Sequence, residues 1–202
     1  MQMMSPIISR LLWPSYICES IKTGKAVGPD FIPNEVLKQE GLRRLLLNFT
    51  NMCFINNVLP SIWRKAKISP IPKSSTKDTC VPLNYRGISL LSCIKLYSTL
   101  LNIRLTDHCE QNGYIVDEQN SFRSKRSCQD HVYVLSTVIR NRKALVQSTF
   151  CAFIDFKKAF DWVHRDLILY ELAVSFDIHD LHFNTLSNIY SSSNSQLRIN
   201  NH

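Results

Sequence analysis

Thr149-Phe-Cys-Ala-Phe-Ile-Asp155-Phe-Lys-Lys-Ala-Phe-Asp161 (TFCAFIDFKKAFD, 149–161) is the stretch on which the reading of this chain turns. Residues 149–154 are an unbroken apolar run rich in β-formers, the pattern expected of a strand covered on both faces. The run stops at Asp155, and Phe156 to Asp161 read as a tight polar-aromatic turn. A carboxylate fixed at the end of a buried strand, ahead of a loop open to substrate, is well placed to hold a cation. Mg2+ in phosphoryl transfer takes one or two carboxylates plus substrate phosphates, and a two-metal site needs at least two convergent carboxylates. Asp161 is a candidate partner across the turn. The competing reading makes Asp155 simply the cap of that turn.

Working outward, Arg165 to Leu172 start a helix, a helical pattern follows over about 178–190, and a short polar strand over about 195–200. Upstream, Ser127 can cap a helix with Asp130 as the capping-box acid, and its buried stripe reads Cys128, Val132, Leu135, Ile139. Before it lies a polar turn, QNGYIVDEQNSFRSKR (111–126), in which Arg123, Lys125 and Arg126 cluster. A helix is expected from Ser89, with Leu90, Ile94, Tyr97, Leu101 and Leu105 along its stripe. Residues 74–85 are polar, carry Pro82 and read as a loop. RKAKISPIPK (64–73) alternates, with Lys65, Lys67 and Ser69 on one face and Ala66 and Ile68 on the other, as in a half-buried strand whose exposed side is basic. From Pro33 to Asn57 the pattern is helical, interrupted at Gly41, with Leu42, Leu45, Leu46, Phe49 and Cys53 facing inward and Pro60 as the stop. Helices interleaved with a few strands, not in strict βαβ order, indicate an α+β protein.

Composition narrows the partners. Twenty-four Lys+Arg against sixteen Asp+Glu give a formal charge of +8 and a pI near 9.2, a balance that favours polyanions. Five glycines in 202 residues, with neither GxGxxG nor GxxxxGK[ST], argue against a glycine-rich nucleotide loop. Seven cysteines without a CxxC pair read as reduced thiols. Cys128/His131 and His179/His182 have ligand-like spacing but no second half-site, which argues against zinc. The N-terminal residues are apolar in places, yet Arg10 and Pro14 interrupt them, so neither a signal peptide nor a membrane span is expected. The expected setting is intracellular, nucleus or cytoplasm.

Five blocks then carry a resemblance: KAVGPDFIPNEVLK (25–38), WRKAKISPIPK (63–73), NYRGISLLS (84–92), DEQNSFRSKRSCQDH (117–131) and AFIDFKKAFDWVHRDLI (152–168). In this order and spacing they resemble the reverse transcriptases of non-LTR (LINE-like) retrotransposons, and they cover most of residues 22–175. The resemblance implies an α+β right-hand polymerase: residues 1–21 unassigned, 22–148 fingers, and 149–202 the start of a palm with a small, incomplete antiparallel sheet. The implied reaction is RNA-templated addition of dNTPs to a DNA primer 3′-hydroxyl with Mg2+. Asp155 matches the first metal-binding aspartate, with the Phe156 carbonyl beside it. Phe160 falls where the family excludes a ribose 2′-hydroxyl, its bland reading being a core aromatic. Arg86 resembles the fingers arginine that grips the triphosphate, a bidentate role suited to guanidinium. Lys73 and Lys67 would face nucleotide or template, or else form a solvated basic face. Backbone amides near Lys158 and Ala159 would meet the triphosphate, and Arg123, Lys125 and Arg126 would line the template path.

Two positions depart from the family, which usually has glycine where this chain has Phe31 and Ser121. Larger still, no Ala-Asp-Asp, the family's second catalytic motif, occurs in the 202 residues. The implied polymerase is therefore truncated before that motif and inactive alone, and the alternative is a non-catalytic nucleic-acid-binding remnant.

Overall fold

A computed structural model describes residues 16–73, 80–191 and 193–197. Two compact units divide the chain: one drawn from Met1–Arg104 and Leu169–His202, the other from Leu105–Ile168. The first 15 residues and part of the 74–85 loop lie outside the described residues.

The helices are α1 (Tyr16–Ser20), α2 (Asn34–Leu37), α3 (Glu40–Ile55), α4 (Ile94–Gln111), α5 (Cys128–Ala144), α6 (Arg165–Val174) and α7 (Asp180–Ser191). The strands are β1 (Lys65–Pro72), β2 (Tyr85–Leu91) and β3 (Asn194–Leu197). The first unit holds the hydrophobic core, built from Ile17, Leu37, Cys53, Phe54, Leu59, Trp63, Ile94, Leu96, Tyr97, Leu100 and Leu101. Each large side chain there contributes about 1.5–3 kcal/mol by leaving water. Ile94, Tyr97 and Leu101 of α4 are the inward stripe the periodicity predicts.

The helix expected over 33–57 is two helices, and the break falls at Lys38–Gln39, not at Gly41. Gln39 is extended (φ −62°, ψ 128°) while Gly41 lies inside α3. The break lets Leu37 turn into the core, while α3 buries Thr50, Cys53 and Phe54 behind a half-buried Leu46. The stripe is thereby rotated, and Leu45 is left exposed. The stop is also earlier than Pro60. Asn57 takes a left-handed φ of 50°, Val58 N–H donates to the Cys53 carbonyl at 2.9 Å, and Asn57 N–H donates to that of Phe54 at 3.2 Å. That is a Schellman ending, with asparagine in the place usually taken by glycine. Asn188 of α7 then ties this corner down, accepting from Arg64 at 2.8 Å and donating to the Asn57 carbonyl at 2.7 Å.

The sheet has the order β2-β1-β3, with β1–β2 antiparallel and β1–β3 parallel. This small mixed sheet among helices is compatible with the expected α+β class. Residues 85–91 are a strand, so the helix expected from Ser89 begins instead at Ile94. Seven consecutive pairs with β1, from Ala66↔Leu91 to Pro72↔Tyr85, give NYRGISLLS backbone partners that local helical periodicity could not reveal. The prolines of β1 fit this arrangement. Lys73 N–H donates to the Asn84 carbonyl at 2.9 Å, so odd-numbered amides of β1 point at β2 and even-numbered ones away. Pro70 and Pro72 therefore lack an N–H only on the outward side, beyond the last β3 pair at Ile68.

The second unit differs more from expectation. Asp130 does close the capping box, its carboxylate accepting the Ser127 N–H at 2.6 Å. Yet α5 buries no residue: Cys128, Val132 and Ile139 of the expected stripe are exposed and Leu135 is only half-buried. Residues 149–154 are not a strand either, and Phe150, Phe153 and Ile154 are more than 80% exposed. A strand covered on both faces needs paired neighbours and packed layers. Among the described residues of this unit there is no strand to pair with it.

Candidate nucleic-acid and nucleotide interface

The alternation of β1 and its register with β2 decide which side chains share a face. Directly paired residues of adjacent strands point the same way, so Lys67↔Leu90, Ser69↔Ile88 and Ile71↔Arg86 lie on one face. Lys65 and Lys73 follow by the two-residue period of β1. The structure thus puts Arg86 on the same face as Lys67 and Lys73, three residues that the sequence places in two separate blocks, with Lys65 on that face as the alternation predicts. Ala66, Ile68, Pro70, Gly87 and Ser89 occupy the other face. Arg86 is exposed, while Lys67 and Lys73 are half-buried, so the strand is less cleanly divided into a wet basic side and a dry side than the sequence suggests.

A strap formed by residues 28–32 is fastened beside this sheet. Phe31 N–H donates to the Gly28 carbonyl at 3.1 Å, closing a turn. Asp30 accepts the Cys93 N–H at 2.6 Å, next to the start of α4, and the Ile32 N–H at 3.3 Å. Gly28 is buried so tightly that a Cβ there would lie 2.1 Å from the Leu91 carbonyl oxygen. Beyond the strap, Glu35 accepts the Gly24 N–H at 2.6 Å, a bond that holds its carboxyl below the usual range. Phe31 has a φ of 55°, a left-handed backbone that explains why glycine suits this position. Its ring carries the Lys67 ammonium at 4.9 Å from the centroid.

In the second unit the three basic residues of the 111–126 turn separate in role. Arg123 clasps Glu110 with two charge-assisted bonds, Nε to Oε1 at 2.8 Å and Nη2 to Oε2 at 2.7 Å. Its Nη1 donates to the carbonyls of Val116 and Gln119. The side chain is only 10% exposed. The clasp holds Glu110 below its ordinary range and raises Arg123. Arg123 is thus the fastener of this loop. Arg126 pairs with Asp117 at 2.9 Å and stays partly exposed, and Lys125 is exposed with a φ of 61°. Ser121, the second position where glycine was expected, is not in the left-handed region, but its neighbour Phe122 is, at 63°.

The turn after Asp155 has the expected tightness. Lys158 sits at a φ of 52°, and its carbonyl accepts the Asp161 N–H at 2.9 Å ahead of a single 3-10 turn, Ala159–Asp161. Asp155, Phe156 and Phe160 are exposed, which removes the core-aromatic reading of Phe160. Among the described residues, no three His, Cys, Asp or Glu side chains converge to hold a metal. The pairs singled out by spacing behave separately: His182 packs edge-on to Phe54 with ring centroids 4.9 Å apart, and His179 pairs with Asp177 at 3.1 Å.

No family model matches the sequence. Over 162 residues, 74% of this chain, it is 32% identical to the "Probable RNA-directed DNA polymerase from transposon BS" of Drosophila melanogaster. This similarity supports the reverse-transcriptase family. The chain spans 17% of that protein's length. Sequence reasoning on reverse-transcriptase blocks missed Asp30, Gly28 and Glu110. Asp30 follows Gly-Pro, a turn signal, but its partner 63 residues on has no local signature. Glu110 lies 13 residues before Arg123, outside any helical or strand period.

Proposed function

We propose that this chain is a piece of a non-LTR (LINE-like) reverse transcriptase, carrying the fingers and the opening of the palm. The observation that carries the reading is the common face of β1 and β2 on which Lys67, Lys73 and Arg86 meet. A sheet face with this charge suits the phosphates of an incoming dNTP and of an RNA template with its DNA primer. Arg86 would take triphosphate oxygens bidentately. Lys125 and Arg126 would meet the template backbone, with Arg123 holding their loop in shape. The turn at Lys158 and Ala159 would present amides to the triphosphate, and the exposed ring of Phe160 would stand against a 2′-hydroxyl.

The reaction of the whole polymerase would be attack of a primer 3′-hydroxyl on the α-phosphate of a dNTP. Mg2+ would supply charge neutralisation there, held by Asp155 and the Phe156 carbonyl together with further carboxylates. No Ala-Asp-Asp occurs in the 202 residues, and the chain is expected to bind nucleic acid without extending it. The second reading, a nucleic-acid-binding remnant with no catalytic role, draws on the same cationic face. Both are tested with the purified chain, an RNA template annealed to a DNA primer, dNTPs and Mg2+. Salt-sensitive binding with no extension is expected. Extension would overturn the stated inactivity, and absence of binding would overturn both readings.

A further inference from the structure

We infer that Phe31 is a stacking platform for an unpaired base of single-stranded RNA, a contact specific to this chain's own sequence. The inference rests on the nucleic-acid reading of the β1–β2 face and adds what lies beside the cations. Phe31 is 71% exposed although it is large and apolar. One face of its ring is met by the Lys67 ammonium, and at that exposure the opposite face is open to solvent. Lys67 belongs to the face shared with Lys73 and Arg86, so the ring stands at the border of the cationic surface.

The ring is also held in place. Its backbone sits in the left-handed region, which a bulky side chain adopts only where the surroundings impose it. Those surroundings are the turn closed onto Gly28, the Asp30 bonds to Cys93 and Ile32, and the burial of Gly28 against Leu91. An exposed aromatic side chain on a fastened strap, with a cation on one face and the basic side chains of the β1–β2 face nearby, has the parts of a single-strand site. Bases stack on aromatic rings whatever their identity, and flanking cations track the backbone. The ammonium beneath the ring strengthens the arrangement, since it keeps the ring oriented when no base is present.

The test separates base stacking from phosphate binding. Fluorescence anisotropy would compare a labelled twelve-nucleotide oligouridylate with an abasic oligomer of equal phosphate number, at several salt concentrations. The wild-type chain should prefer the oligomer with bases by about thirtyfold, the middle of the range for one stacked base. Phe31→Gly, which suits the left-handed backbone, should bring that preference close to one without changing the salt dependence. Phe31→Trp should keep it. Equal affinity of the wild-type chain for the two oligomers, or a preference that survives Phe31→Gly, would overturn the inference while leaving the cationic face intact. A salt dependence unchanged by Arg86→Ala would instead refute the cationic-face reading.

Discussion

Gly28→Ala is the most informative single change in the fold. The added Cβ would lie 2.1 Å from the Leu91 carbonyl oxygen, 2.4 Å from the Leu91 carbonyl carbon and 2.6 Å from the Ser92 nitrogen. All three are backbone atoms, so no side chain can swing aside. The strap must retreat by roughly 1.5 Å to restore an ordinary contact distance. Such a retreat pulls the Asp30 carboxylate away from the Cys93 N–H, now 2.6 Å from it. Overpacking costs about 1–3 kcal/mol, and losing a hydrogen bond to a charged group about 1.5–3 kcal/mol. The two are alternatives in part, because retreat relieves the clash, so the expected loss is about 2–4 kcal/mol. In urea this lowers the unfolding midpoint by about 1–2 M for a typical slope. Gly41→Ala is the internal control: nothing lies within 4 Å of its added Cβ, and it sits in α3. It should raise stability by about 0.5–1 kcal/mol. A Gly28→Ala midpoint equal to wild type would refute the docking of the strap against Leu91.

Two further outcomes follow from the core and the loop clasp. Phe54→Ala, which removes a ring buried to 1% and packed edge-on to His182, should cost about 3–5 kcal/mol in the same urea experiment. The Glu110 carboxyl is depressed by Arg123, so the stabilisation it gives is complete above its ordinary value of 4.5 and lost as pH falls through the lower folded value. Amide exchange across residues 112–127 should therefore rise on the acid side of that window, and Glu110→Gln should remove the acid-dependent part. An identical pH response in the variant would contradict the clasp.

What the sequence disclosed depended on the range of the interactions involved. Local signals transferred well: the Ser127–Asp130 capping box, the α4 stripe at Ile94, Tyr97 and Leu101, the turn at Lys158, the late helix at Asp180–Ser191, and the part of the 195–200 strand that falls within the described residues. Failures came where a distant partner overrides local pattern. Ser89 and Leu90 fit the start of a helical stripe, but the backbone of residues 85–91 pairs with β1 instead. The run 149–154 has the composition of a buried strand, yet composition cannot supply the neighbours that make one. The shared face of Lys67, Lys73 and Arg86 was legible only in part: the strand period puts both lysines together, whereas the arginine needs the register. Arg123 shows the reverse, since the resemblance implied a template-path residue and Glu110 holds the side chain.

The cationic face of β1 and β2 is tested most directly by the salt dependence of single-stranded RNA affinity for the wild-type chain and for the combined Lys67→Ala, Lys73→Ala, Arg86→Ala variant. Each phosphate contact on a single strand contributes about 0.7 to the slope of log affinity against log salt. If these three cations form one phosphate-binding face, the slope should become shallower by about 2, with cooperative unfolding retained. An unchanged slope and affinity in a folded variant would contradict the claim.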